Sequence, residues 1–129
     1  MCGIAGGWWK EAGQLEARLA GALEKIRYRG PDDRGYELYP MGDSIVALGH
    51  TRLSILDLSS AGHQPMHSAD KRLSIVFNGE IYNYRELRTE LQGLGHRFVS
   101  DSDTEVLLAA WIQWGQACLV RLVGMFAFV

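Results

Sequence analysis

The segment LSIVFNGEIYNYRELRTELQGL, residues 73–94, changes hydrophobic period in its middle, and that change decides the fold class. Leu73 to Phe77 is a short run of β-forming residues ending at Asn78-Gly79, and Asn-Gly after such a run signals a hairpin. From Asn83 the spacing turns helical. Tyr84, Leu87, Leu91 and Leu94 share one face, Glu86 stands three residues after Asn83 as a capping-box partner, and Gly95 suits the C′ position. A strand and a helix in so short a stretch point to an α+β or layered α/β domain.

Downstream, His96 to Ser100 reads as a short strand. A further helix starts at Ser102, with Glu105 completing a second capping box, and stops at Gly115. Cys118 to Val123 suits a short helix, and Met125 to Val129 an apolar strand. Upstream, Ser59 to Arg72 is polar loop, and His50 to Leu58 is extended. Tyr36–Tyr39 and Ser44–Gly49 are extended segments around a turn at Pro40 to Asp43. Tyr28 to Gly35 carries RGPDDRG and reads as a loop. Gln14 to Ile26 is a helix with Leu15, Leu19, Ala22, Leu23 and Ile26 on one face, and residues 1–9, MCGIAGGWW, read as a buried strand.

Length and composition bound the function. The chain has 129 residues, 47% hydrophobic and 22% charged, the makeup of one globular domain and not of a disordered chain. Lys and Arg number 13 against 15 Asp and Glu, and the absence of a basic block argues against nucleic-acid binding as the main role. Cys2 and Cys118 are too few for a disulfide framework, so a reducing, cytoplasmic setting is expected. No apolar run approaches the ~18 residues of a membrane span, so no membrane partner is expected. The 15 glycines exceed the usual share and imply many unusual backbone positions.

The residues with chemical potential each carry two readings. Cys2 is either a small apolar strand residue or, once the initiator Met is removed, a nucleophile with its own base. An α-amine, with a reference pKa of about 7.7–8.0, is partly unprotonated at neutral pH and can take the thiol proton. Asn78-Gly79 is either a plain turn or a turn whose amide and backbone N–H donors hold an oxyanion. Arg52 is either a surface side chain that snorkels or a fork for a carboxylate. Asp103 is either a dipole-favoured residue of a first helical turn or the partner of an ammonium group. Arg52 and Asp103 together suit the two α-substituents of an amino acid.

Other candidates are weaker. His63 and His67 are four apart, but Pro65 between them argues against a helical metal site, and no metal is expected. Trp111 and Trp114 read as packing residues, and Cys118 as an inert buried thiol.

These motifs in this order resemble one family. MCGIAG at the start, RGPDDRG at Arg29–Gly35, HTRLSILD at His50–Asp57, FNGEIYNYRELR at Phe77–Arg88, SDTEVLL at Ser102–Leu108 and GMFAF at Gly124–Phe128 are similar to the glutaminase domain of class II glutamine amidotransferases. The likeness is to the glutamine-hydrolysing asparagine synthetase branch. The resemblance implies a four-layer αββα N-terminal-nucleophile sandwich with antiparallel sheets over residues 1–129, incomplete at the C-terminus. It implies Cys2 as nucleophile, Asn78 and the Gly79 amide as oxyanion hole, Arg52 for the α-carboxylate and Asp103 for the α-ammonium of L-glutamine. Leu53, Ile55, Leu56 and Glu80 would complete the pocket. A synthetase domain, with ATP and Mg, is expected in cis in a longer protein and is missing from this segment, which itself needs no cofactor. A homodimer is compatible with the resemblance. Another ammonia acceptor, or an inactive glutamine-binding fragment, are the competing expectations.

Overall fold

The structure is a computed structural model and describes residues 2–10, 13–55 and 59–129. Three antiparallel sheets, of three, two and two strands, lie between helices. The first sheet has the order β1 (Gly3–Trp9), β3 (Ser44–Arg52), β2 (Asp33–Met41), so β3 is central. Helix α1 (Leu15–Lys25) covers its outer face. Its predicted apolar stripe is the reason: Leu15, Leu19 and Leu23 are buried with Ala47 of β3, and Ala5, Trp9, Ile26 and Ile45 pack around them. Each such leucine contributes about 1.5–3 kcal/mol on burial.

The second layer pair is built from β6 (Phe77–Ile81) and β7 (Gly124–Phe128), backed by α3 (Asp103–Trp114), on which α2 (Tyr84–Gly93) packs. The two-residue strands β4 (Met66–His67) and β5 (Ser74–Ile75) pair beside it. Phe77, Ile81, Leu87, Leu91, Val106, Leu107 and Ala110 form its core. Trp111 meets Phe128 edge-on at 6.4 Å, and Trp114 lies under the Arg121 guanidinium, so both tryptophans pack as expected. The order is helix, sheet, sheet, helix. Between the sheets, Ile4, Trp8, Val46, Leu48, Val76 and Val129 line an apolar cavity of about 690 Å³.

Several local expectations are corrected. The expected buried strand is not buried: of β1 only Gly3 is buried and Trp8, which lines the inter-sheet cavity, is 73% exposed, and β1 lies at the edge of its sheet. The RGPDDRG loop ends early, since Asp33 to Gly35 already pair with β3. Pro40 lies in β2 and not in the turn; β2 is an outer strand, where a missing N–H is tolerated. Strand β3 ends at Arg52 and residues 53–55 belong to no strand, while residues 56–58 of the expected extended stretch lie outside the described residues. The polar loop 59–72 contains β4 and buries Gln64, Met66 and Ser68. Residues 96–100 form no strand, because the Val99 and Ser100 amides are taken by the Glu105 carboxylate.

The Asn83 capping box does not form. Asn83 Nδ2 donates to the Arg121 carbonyl and its Oδ1 accepts from Val123 N, tying α2 to the approach of β7. Ser102 does cap α3, accepting from Thr104 N, while Glu105 reaches back to Ser100 instead of Ser102. Gly95 and Gly115 close the two helices at φ +96° and +56°. The expected short helix is a 3-10 segment, Gly115–Arg121.

Candidate functional site

One pocket, about 130 Å³, opens where the first sheet, the β6 edge and the start of α3 meet. Cys2, Arg52, Leu53, Ile55, Gly79, Glu80 and Asp103 all line it. Leu56 lies outside the described residues. Asn78 is adjacent in the chain but is not among the lining residues.

Cys2 precedes β1 and is held at the wall by the end of β3. Leu53 N donates to its sulfur at 3.4 Å, and the thiol lies 3.7 Å from the Leu53 carbonyl. Arg29 Nε donates to the Cys2 carbonyl at 3.0 Å. The RGPDDRG loop braces the same segment: Asp32 N donates to the Arg52 carbonyl and Asp32 Oδ2 accepts from Ser54 N at 2.8 Å. The loop therefore places both Cys2 and the chain that follows Arg52.

The Asn78-Gly79 hairpin does not exist. Both residues sit inside β6, opposite Ala127 and Phe126. The partner residues lie 49 and 47 positions downstream, and their pairing overrides the local turn signal. The register carries a consequence. Val76 and Val129 exchange both hydrogen bonds at 3.0 Å, and Tyr82 N donates to Val123 at 2.7 Å. In an antiparallel ladder such pairs alternate with pairs that exchange none. Phe77, Gly79 and Ile81 are the alternate positions, so their backbone groups point away from β7, toward the pocket. Phe77 N donates to Gln64 Oε1 and Ile81 N donates to Asp103 Oδ2, which confirms the direction. Gly79 N–H lies between them on the same edge. Residue 79 must be glycine for a second reason: a Cβ there would run into Met125 and Phe126 of β7.

Asn78 Oδ1 is buried and has no hydrogen-bond partner among the described residues. Rotating the amide by 180° exchanges that oxygen for two donors. A buried amide end without a partner is costly in a resting protein.

Arg52 is 8% exposed, so it does not snorkel. Its Nη1 donates to the Ser59 carbonyl at 2.8 Å, and its guanidinium lies against Gly62. Asp103 is 6% exposed, and burial raises its pKa, opposed by the Ile81 hydrogen bond and assisted by Glu80. Its cavity thus holds a carboxylate that a cation would stabilise. His50, at the heart of β3, is 1% exposed, and burial lowers its pKa to about 4. Its Nε2 lies 3.0 Å from the Phe77 carbonyl, which can only accept, so Nε2 carries the proton of a neutral ring.

Arg29, Gln64 and Thr104, which carry no site signal of their own in the sequence, support or line the pocket, and Ser102, expected only as a helix cap, lines it too. The local signal for Gln64 was only its place before Pro65. The pair His63 and His67 is engaged elsewhere: His63 meets Asp33 at 2.7 Å and His67 meets Glu37 at 2.9 Å, both on β2. Among the described residues no group of His, Cys, Asp and Glu is arranged for a metal, and no helix is long and apolar enough to cross a membrane. Cys118 is fully buried and its thiol pKa is raised by burial.

Comparison with known proteins follows the same lines. The chain is 42% identical over its whole length to asparagine synthetase [glutamine-hydrolyzing] 1 of Bacillus subtilis (strain 168), covering 20% of that protein. It is 40% identical over 99% of its length to asparagine synthetase [glutamine-hydrolyzing] 3 of the same organism, covering 21% of it. The chain spans about a fifth of the length of these relatives. Among solved structures, glutamine phosphoribosylpyrophosphate amidotransferase from B. subtilis, complexed with ADP and GMP, superposes with a TM-score of 0.76. It is 23% identical, over 98% of this chain and 34% of that one, and so establishes a shared α+β fold. The family model described as "Glutamine amidotransferase domain" matches residues 1–129, and the chain belongs to that family.

Proposed function

We propose that this domain hydrolyses the side-chain amide of L-glutamine to glutamate and ammonia. One observation carries the reading: a single small pocket collects Cys2, the buried Arg52, the outward edge of β6 at Gly79 and the buried carboxylate of Asp103. Arg52 offers a planar fork for the α-carboxylate. Asp103 pairs with the α-ammonium, which relieves the cost of its burial. Leu53, Ile55 and Glu80 wall the side chain of the substrate, and Leu56 follows them in sequence.

The reaction is an acyl transfer. With Met1 removed, the free α-amine of Cys2 takes the thiol proton, and the sulfur attacks the glutamine side-chain carbonyl carbon. The oxygen of the tetrahedral intermediate receives the Gly79 N–H and the Asn78 amide after its rotation. The carbon–nitrogen bond breaks, the α-ammonium returns its proton to nitrogen, and ammonia leaves. Water then attacks the γ-glutamyl thioester and gives a proton to the amine; the carbon–sulfur bond breaks, the ammonium returns the proton to the sulfur, and glutamate leaves. The names of the relatives, glutamine-hydrolysing asparagine synthetases, support a longer parent in which the ammonia is passed on to asparagine synthesis.

The test is glutamate release together with labelling by a thiol-directed glutamine analogue. The expected result is turnover, one label per chain at Cys2, an intact mass lacking Met1, and no turnover in Cys2→Ala. Turnover without labelling at Cys2, or turnover retained in Cys2→Ala, overturns the nucleophile assignment. Glutamine binding with neither turnover nor labelling identifies an inactive binding domain instead.

A further inference from the structure

Phe77, immediately before Asn78, has no ladder hydrogen bond to β7, because the neighbouring pair Val76–Val129 holds the bonded position and bonded pairs alternate with open ones. Both of its backbone groups are met by buried side chains. His50 Nε2 donates to its carbonyl at 3.0 Å, and Gln64 Oε1 accepts from its N–H at 2.7 Å. The other end of the Gln64 amide donates from Nε2 to Thr104 Oγ1 at 3.2 Å. Gln64 is 5% and Thr104 2% exposed, so neither contact is shared with bulk water.

This one amide therefore joins the residue before Asn78 to the residue after Asp103. The two ends differ in kind: the Phe77 N–H needs an acceptor and the Thr104 hydroxyl takes a donor. Glutamine supplies both in one planar group. We propose that Gln64 is a positioning residue for glutamine hydrolysis, its amide setting the distance between the oxyanion strand β6 and the amine-binding end of α3. The inference rests on the function proposed above and adds to it a residue that touches neither the reacting carbon nor the sulfur.

The experiment combines kinetics and amide exchange on the 129-residue chain. Gln64→Met keeps the volume and removes both contacts; it should lower kcat by up to about 100-fold and raise KM, since displacements near an ångström carry losses of that order. Thr104→Val frees only the α3 end and should raise KM with kcat largely kept, and Thr104→Ser should restore the wild-type values. Unchanged kcat and KM in Gln64→Met, or equal impairment in Thr104→Val and Thr104→Ser, overturns the proposal. If Gln64→Met does not fold, the Thr104 pair decides by the same criterion. Amide exchange supplies the independent readout. Gln64→Met should speed exchange at Phe77 and Ile81 and leave Tyr82, bonded to β7, as it was. A wild-type chain that hydrolyses no glutamine defeats the proposed function; exchange then decides the linkage alone, and unaltered exchange at Phe77 and Ile81 overturns it.

Discussion

The two edges of β6 satisfy the same kind of backbone group in two different ways. Toward β7 each group meets another backbone group, at Val76, Asn78, Glu80 and Tyr82. Toward the pocket the partners are side chains: His50 from β3, Gln64 from the loop before β4, and Asp103 from α3. A backbone edge pairs as a unit and leaves no position open. An edge covered residue by residue can leave one N–H, that of Gly79, directed at a ligand. Sheet edges are usually covered or charged to prevent further pairing. Here the cover is also the wall of the site.

The comparison can be broken from either side. The largest effect is expected at the open edge. Asn78→Ala should lower the glutaminase rate by ~10²–10³, the usual loss for one oxyanion donor. Its unfolding should stay cooperative, because the Asn78 backbone remains paired with Ala127. A near-wild-type rate would remove Asn78 from the site.

Next in size is the pH response of the cover itself. His50 has a folded-state pKa of about 4 against an ordinary 6.5, so the unfolded chain binds the extra proton first. Its neutral burial contributes stability that is complete above pH 6.5 and is lost as pH falls toward 4. The loss should reach about 3 kcal/mol in urea unfolding between those limits. His50→Gln should flatten that slope, and an equal slope in both proteins would remove His50 as its source.

The paired edge responds to crowding. In Gly79→Ala the new methyl meets Met125 and Phe126, so the β6–β7 pair must separate. A cost of about 1–3 kcal/mol is expected from overpacking, visible as a lowered urea midpoint and faster exchange at Tyr82. Full stability in this variant would show that β7 yields freely.

The smallest effect sharpens the contrast between stability and site. Burial raises the pKa of Asp103, so it favours the fold only below its folded pKa, and this contribution is lost as pH rises through that value. At pH 7 the ionised carboxylate is a liability until an ammonium group arrives. Asp103→Asn should therefore stabilise the ligand-free chain at pH 7, with the gain vanishing in acid, while glutamine KM rises. Equal stability at pH 7 and at low pH would show that burial of this charge carries no cost.

The legible parts of this protein were those specified within one turn or one motif. The leucine stripe of α1, the Ser102 cap and the glycine stops of both helices each depend on neighbours a few positions away. So did the linear motifs that placed Cys2, Arg52, Gly79 and Asp103 around one pocket. The misread parts depended on remote partners. Asn78-Gly79 became mid-strand because Ala127 and Phe126 reached it, and Asn83 left its helix to serve Arg121 and Val123.

The amino-acid sequence by itself determined that strands and helices mix in one domain, and it set the chemical types available to the site. Periodicity, capping and motif chemistry are local and survive in one dimension. Only the tertiary structure decided that β6 turns an edge toward the pocket, that Arg52 is buried, and that Arg29 and Gln64 hold the site from 27 and 40 positions away from Cys2 and Thr104. Those outcomes follow from register and from the need to pair every buried polar group. Both are set by which remote segments meet, and no stretch of sequence carries that information alone.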